Sequence, residues 1–201
     1  GRQIGLAFDG EGEELHAVET GIPQGSPTSP ILFIIYLQPL FIRLQQAGLK
    51  ISTPSYIDDV GLVAQSPSIQ ENVKSLTTAA TIAFNWADAN AVAFDDPKSE
   101  LIHFSRIRDT SRADLQVQLP NGTRVKPSSC LRWLGVWLDS GLTFTNHVKI
   151  KVAAATRAFG AIRQLANTEK GLSTYAMRQL YQSCVIPVAD YGSEVWWNGQ
   201  E

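Results

Sequence analysis

Residues 55–64, SYIDDVGLVA, constrain this chain more than any other stretch in it. Tyr56 and Ile57 lead in, Val60, Leu62 and Val63 lead out, and two aspartates stand side by side between them. Such flanks read as two short strands, with Asp58 and Asp59 at the tight turn that joins them. Neighbouring side chains on a flat strand point to opposite faces, so two adjacent carboxylates converge on one ion only where the chain turns. Like charges placed together repel. Either water screens them, as it does for ordinary turn aspartates, or a cation holds them. Mg²⁺ favours a site with one or two carboxylates, several waters and substrate phosphates. Two such ions about 3.5–4 Å apart would activate an attacking hydroxyl and stabilise the leaving group of a phosphoryl transfer.

A second stretch, GIPQGSPTSP at residues 21–30, bears on that choice. Gly21 and Gly25 let backbone approach a ligand, prolines stiffen the loop, and Gln24 presents an amide at its centre. Ser29 followed by Pro30 is a helix start, a hydroxyl cap and then proline at the first helical position. The free N–H groups of a helix start favour anions such as phosphates. An ordinary strand-to-helix connection is the alternative. The helix is expected to run to about Ala47, to stop at Gly48 and to kink at Pro39. It is apolar on nearly every side as far as Leu37, which predicts a buried first half.

Around these stretches the periodicities predict an α+β fold. Residues 2–20 alternate on both sides of a turn-rich DGEGEE and read as a β-hairpin. Ser68 and Glu71 form a capping box for a helix ending near Asn90. DDPKSE is a polar loop, LIHF a strand, LQVQLPNGTRVKP a hairpin with a Pro-Asn-Gly turn, and LRWLGVWLD a further strand. From Asn146 two long helical stretches follow, so a boundary is placed near Gly141, with domains at residues 1–140 and 141–201.

Composition sets outer bounds. The chain has 201 residues, 44% of them hydrophobic, enough for a packed core. Residues 1–60 carry 3 basic and 7 acidic side chains, and residues 141–201 carry 6 and 4. An acidic front and a mildly basic tail suit a cation site followed by a phosphate-contacting surface. Cys130 and Cys184 are the only cysteines; they make no zinc set and need no disulfide, which favours a reducing, intracellular setting in nucleus or cytoplasm. ILFIIYLQPLFIRL is too short to span a bilayer, so no membrane partner is expected. His16, His103 and His147 are scattered without metal-ligand spacing. The abrupt start at Gly1 reads as a fragment of something longer.

Taken in order, GIPQGSPTSPILF, YIDDV, FDDPKSELIHF, LRWLGVWLD and YQSCVIPVADYGSEVWW resemble the motif run of reverse transcriptases from non-LTR, LINE-type retrotransposons. The resemblance covers nearly the whole chain, and the first two motifs together are highly specific. It implies a polymerase palm, an antiparallel sheet with packed helices, followed by a helical thumb segment. It also implies an RNA template, a DNA primer and deoxynucleoside triphosphates, with Mg²⁺, or Mn²⁺ in its place, as cofactor. Asp58 and Asp59 would be the metal-binding acids, with Asp58 the main ligand. Gln24, Gly25, Ser26 and Pro27 would line the pocket for nucleotide and template base. Lys98 would protonate the departing pyrophosphate; a solvated loop lysine is its alternative. Leu134, Gly135 and Val136 would form the primer grip, beside Trp133 and Trp137, which are read as core packing. Lys149, Lys151, Arg157 and Arg163 would touch phosphates, although for each one singly a solvated helix face is the simpler reading.

The resemblance also marks what is missing. Asp9 is not read as a catalytic acid, because it lies in a turn too close to Gln24. The family's remaining catalytic aspartate, its aromatic gate and its fingers lie upstream of the motifs found here, so a missing upstream segment of a parent polyprotein is expected and this chain alone is read as inactive. Two rivals remain. One is an RNA-dependent RNA polymerase, against which PQGSP argues. The other is an inert or nucleic-acid-binding remnant of a decayed element.

Overall fold

The computed structural model describes residues 2–5, 7–8, 11–12, 15–18, 21–22, 25–104, 114–166, 171–197 and 199. These divide into two compact units, residues 1–66 with 75–93, and residues 67–74 with 94–201. All strand ladders among them are antiparallel and two-stranded, and they build four hairpins.

The first unit opens with the expected hairpin. β1 (Arg2–Ile4) pairs with β4 (His16–Val18), and β2 (Ala7–Phe8) with β3 (Glu11–Gly12). Helix α1 spans Ser29–Gln46 and starts one residue earlier than Ser29-Pro30 suggested: Thr28 is the cap residue and Ser29 is already helical. The Thr28 hydroxyl bonds to Ser26 Oγ at 3.0 Å instead of capping the helix. Gly48 at φ +65° follows the last turn as expected.

One expectation about α1 is overturned. Its apolar first half is exposed: Ile31, Leu32, Ile34, Ile35 and Tyr36 lie open to solvent, and burial begins at Leu37 and continues at Leu40 and Leu44. The sequence made this segment apolar all round, but within the described residues only the Leu37, Leu40 and Leu44 stripe is fully buried. Each of these fully buried leucines contributes roughly 1.5–3 kcal/mol. α2 (Ile69–Ala89) begins with the Ser68 cap, whose Oγ accepts the Glu71 N–H at 3.4 Å. It buries Ala79, Ala80, Ala83, Trp86 and Ala87 on one face. Tyr36 of α1 meets Trp86 edge to face, with centroids 6.0 Å apart, and its hydroxyl donates to the Asn90 carbonyl.

In the second unit Asp96–Lys98 form a single tight helical turn. LIHF is not a strand. Leu101 alone makes a parallel bridge, to Pro127, and the His103 ring instead bonds the Leu115 carbonyl oxygen at 2.8 Å. The Pro-Asn-Gly hairpin forms as expected, β9 (Val117–Gln118) on β10 (Arg124–Val125). LRWLGVWLD is two strands, not one: β11 (Cys130–Trp133) and β12 (Val136–Asp139) fold back on each other in register. The turn is made by Leu134 at φ +46° and Gly135 at φ +80°, the signs of a type I′ turn.

After β12 the described chain is helical: α3 (Thr145–Arg163), α4 (Thr174–Leu180), α5 (Ile186–Ala189) and α6 (Ser193–Trp196). Asp139 ties the hairpin to α3 by accepting the N–H groups of Gly141, Thr143 and Phe144 at 2.7–3.1 Å. The second helical stretch is interrupted by a wide π-type turn at Tyr181–Val185. Pro187 has no N–H to continue an i→i−4 ladder, and the widened turn accommodates the loss. Ala155, Ile162 and Val185 form the core here, with Met177, Leu180 and Val188 against it. Among the described residues no helix is long and apolar enough to cross a membrane.

Candidate active site

The acid hairpin consists of two short antiparallel ladders. β6 (Ser55–Tyr56) pairs with β7 (Asp59–Val60), and β5 (Ile51–Ser52) with β8 (Val63–Ala64) in the same register. A Gly61 N–H to Pro54 carbonyl bond of 2.8 Å joins the two ladders. The turn residues are Ile57 and Asp58. Asp59 already belongs to β7, opposite Tyr56, which corrects the expectation that both acids occupy the turn. Their carboxylates therefore leave different backbone environments, one from the apex and one from the strand. Ile57 has φ +56°, a region that a β-branched residue rarely occupies, and strain of this kind clusters at functional sites. Asp58 and Asp59 are both exposed.

Of the proposed nucleotide loop, Gln24 lies outside the described residues. Gly25 has φ +89°, and a Cβ there would meet nothing within 4 Å, so conformation rather than crowding calls for glycine. The backbone beside it is open. Ser26 is half-buried and Pro27 exposed. These residues share the first unit with the acids.

Lys98, Leu134, Gly135 and Val136 belong to the second unit. Lys98 is exposed and pairs with Asp95 at 2.8 Å. The hydrogen bond and the charge of Asp95 raise its pKa, so the pair holds the ammonium proton more firmly. Donation of that proton needs the pair to open. Leu134 and Gly135 are the apex of the β11–β12 hairpin, a more defined setting than the straight strand expected. Trp133 and Trp137 are half-buried, while Trp86 is the fully buried tryptophan. Lys149, Arg157 and Arg163 are exposed on α3. Lys151 lies over the Tyr191 ring, 3.9 Å from its centroid; burial, then the nearby Arg132 charge, lower its pKa.

His147, which has no metal-ligand spacing in the sequence, is fully buried. Its Nδ1 accepts the Trp137 N–H at 3.2 Å and its Nε2 bonds the Tyr191 carbonyl at 3.0 Å. Tyr191 is not among the sequence-predicted site residues. Spacing could not find them, because 44 residues separate the two. The available signal was Tyr191-Gly192 within a Trp-rich segment.

Among the described residues no three His, Cys, Asp or Glu side chains come together as a metal site. Asp58 and Asp59 nevertheless supply hard oxygen donors, accessible to water and phosphate, of the number that Mg²⁺ takes from protein.

Residues 3–138 match the family model described as reverse transcriptase (RNA-dependent DNA polymerase). The chain belongs to that family. Its relatives include the Retrovirus-related Pol polyprotein from type-1 retrotransposable element R1 2 of Nasonia vitripennis, 26% identical over 88% of this chain and 43% of the relative. The probable RNA-directed DNA polymerase from transposon BS of Drosophila melanogaster is 25% identical over 89% of this chain and 20% of its own length. The RNA-directed DNA polymerase from mobile element jockey of Drosophila funebris is 24% identical over 98% and 21%. The resemblance to non-LTR elements read from the motifs is thereby shown, and the chain spans less than half the length of these three relatives. No solved structure matches it.

Proposed function

We propose that this chain is part of the palm, with the start of the thumb from residue 141 on, of a polymerase that copies an RNA template into DNA. The observation that carries the reading is the acid hairpin: two exposed carboxylates at and beside the apex of a hairpin whose two short ladders share one register, within a chain of the reverse transcriptase family. Asp58, with Asp59, would hold the divalent cation, Mg²⁺ or Mn²⁺. When bound, that ion supplies positive charge where negative charge develops on the reacting phosphate. Gln24, Gly25, Ser26 and Pro27 shape the pocket for the nascent base pair. Leu134, Gly135 and Val136 hold the primer end, so that its 3′-hydroxyl attacks the α-phosphate of a deoxynucleotide and pyrophosphate leaves. Lys98, freed from Asp95, gives its proton to the pyrophosphate. Lys149, Lys151, Arg157 and Arg163 follow the duplex backbone. The third metal-binding acid comes from outside this chain, in the upstream part of the parent polymerase. The setting is intracellular, in nucleus or cytoplasm.

Primer extension tests the reading. The full polymerase that carries this chain should extend a DNA primer on an RNA template with deoxynucleotides, and the 201-residue chain by itself should not. Preferential ribonucleotide incorporation would instead favour an RNA-dependent RNA polymerase. No incorporation by the full polymerase would favour an inert remnant. Robust extension by the isolated chain would refute the need for an upstream acid.

A further inference from the structure

The turn of Leu134 and Gly135 is held by more than its own hairpin. Tyr191, 57 residues away, donates its hydroxyl proton to the Leu134 carbonyl at 2.8 Å. Its ring lies so close to Gly135 that a Cβ there would stand 2.8 Å from Oη and 2.9 Å from Cε1. The next residue, Gly192 at φ +72°, backs onto Val136, and a Cβ on it would come within 2.9 Å of Val136 Cγ2.

Tyr191 is itself fixed. Its carbonyl bonds to His147 Nε2 at 3.0 Å and accepts the Trp196 indole N–H at 3.2 Å. A backbone N–H can only donate, so His147 Nδ1 is the acceptor for Trp137 and the ring proton sits on Nε2. The imidazole, fully buried, thus links the strand after the turn to the residue that braces the turn. Leu134, Gly135, Val136 and Trp137 are each contacted or hydrogen-bonded by this one cluster.

We propose that Tyr191 is the positioning residue of the primer grip: its hydroxyl and ring set the conformation of the Leu134 and Gly135 turn, and through it the place of the primer 3′ end. The inference rests on the reading of Leu134, Gly135 and Val136 as the primer grip. It adds that the grip is set from the helical segment, by a residue that acts through the turn. Attack geometry is sensitive to such placement, since a misplacement of about 1 Å can lower a rate by roughly 100-fold. Binding is far less sensitive, because the duplex is held along its backbone.

The test compares Tyr191→Phe, which removes one hydroxyl and keeps the ring, with Gly135→Ala, which disturbs the turn directly. Both are made in the full polymerase. For Tyr191→Phe the expected result is kcat lower by about ten-fold, with deoxynucleotide KM and duplex Kd within about two-fold of the parent. Amide hydrogen exchange across residues 130–139 should become faster in the same variant. If Gly135→Ala slows synthesis and Tyr191→Phe does not, the inference is overturned and the primer-grip reading stands. If neither variant slows synthesis although exchange quickens, the primer-grip reading fails and the inference falls with it. A lower kcat without faster exchange also overturns it, because the effect would not pass through the turn. Should Gly135→Ala fail to fold, Tyr191→Phe with its exchange readout decides the inference alone.

Discussion

The two hairpins that carry the proposed chemistry are built alike and supported differently. Each turns on two residues, and each puts a non-glycine side chain at positive φ in the first turn position, Ile57 at 56° and Leu134 at 46°. Each keeps one register behind that turn, continuous in β11–β12 and interrupted at residues 53–54 and 61–62 in the acid hairpin. The acid hairpin relies on its own ladder, and its carboxylates make no hydrogen bond or ion pair among the described residues. The second hairpin is clamped by Tyr191, His147 and Gly192. A site that must admit a hydrated cation and phosphates stays open. A site that must present backbone at a fixed position is braced from outside. Mutations in the first should therefore alter chemistry more than stability, and mutations in the second should alter both.

The largest stability difference should come from Gly135→Ala set against Asp58→Asn. Alanine at φ +80° is strained, and its Cβ overlaps the Tyr191 ring, so a loss of about 2–4 kcal/mol is expected. Asp58→Asn, at an exposed turn, should stay within about 0.5 kcal/mol of the parent. Urea unfolding of the chain measures both, and equal losses would erase the distinction between a braced and a self-supported hairpin. A smaller effect should appear in duplex binding. Lys149→Ala combined with Arg157→Ala should make the slope of log affinity against log salt shallower by up to about 1.8, two phosphate contacts at about 0.9 each, with catalytic efficiency on bound duplex preserved. An unchanged slope would mean that α3 does not follow the backbone.

The smallest effect concerns how the braced hairpin joins α3. Burial alone would push the Asp139 carboxyl up. The Thr143, Phe144 and Gly141 N–H groups and the Thr143 hydroxyl outweigh it and hold the pKa below its ordinary 3.8. A carboxylate depressed in the folded state adds stability that is fully present above the unfolded value. That stability is lost as pH falls through the lower folded one. Acid unfolding below about pH 4 should thus be shallower in Asp139→Asn than in the parent. Identical profiles would show that the carboxylate's bonds add nothing.

The sequence was most legible where structure is local. Alternation and turn chemistry foretold the acid hairpin and the Pro-Asn-Gly hairpin, because cross-strand partners there lie within a few residues of a turn. The hairpin at Leu134 and Gly135 was missed because leucine is a poor marker for positive φ. Its conformation is supported by Tyr191, which no local pattern connects to it. LIHF failed as a strand for a related reason: its composition suits a sheet, but among the described residues only Leu101 finds a bridging partner. The exposure of Ile31, Leu32, Ile34 and Ile35 escaped because an apolar helix declares what it could bury, not what is present to cover it. For the candidate site, the types and order of residues were readable from motifs. The support from His147 and Tyr191 was not, since it depends on contacts across 44 and 57 residues.

The central claim is that Asp58 serves the chemistry of nucleotide addition rather than the fold. Single-turnover primer extension by the full polymerase with Asp58→Asn tests it most directly, because the substitution keeps size and removes charge. The account predicts a rate lower by more than about 100-fold, close to 2.7 kcal/mol of transition-state stabilisation, with primer–template affinity and unfolding midpoint unchanged. A variant that kept more than about a tenth of the parent rate, a loss under roughly 1.4 kcal/mol, would contradict it.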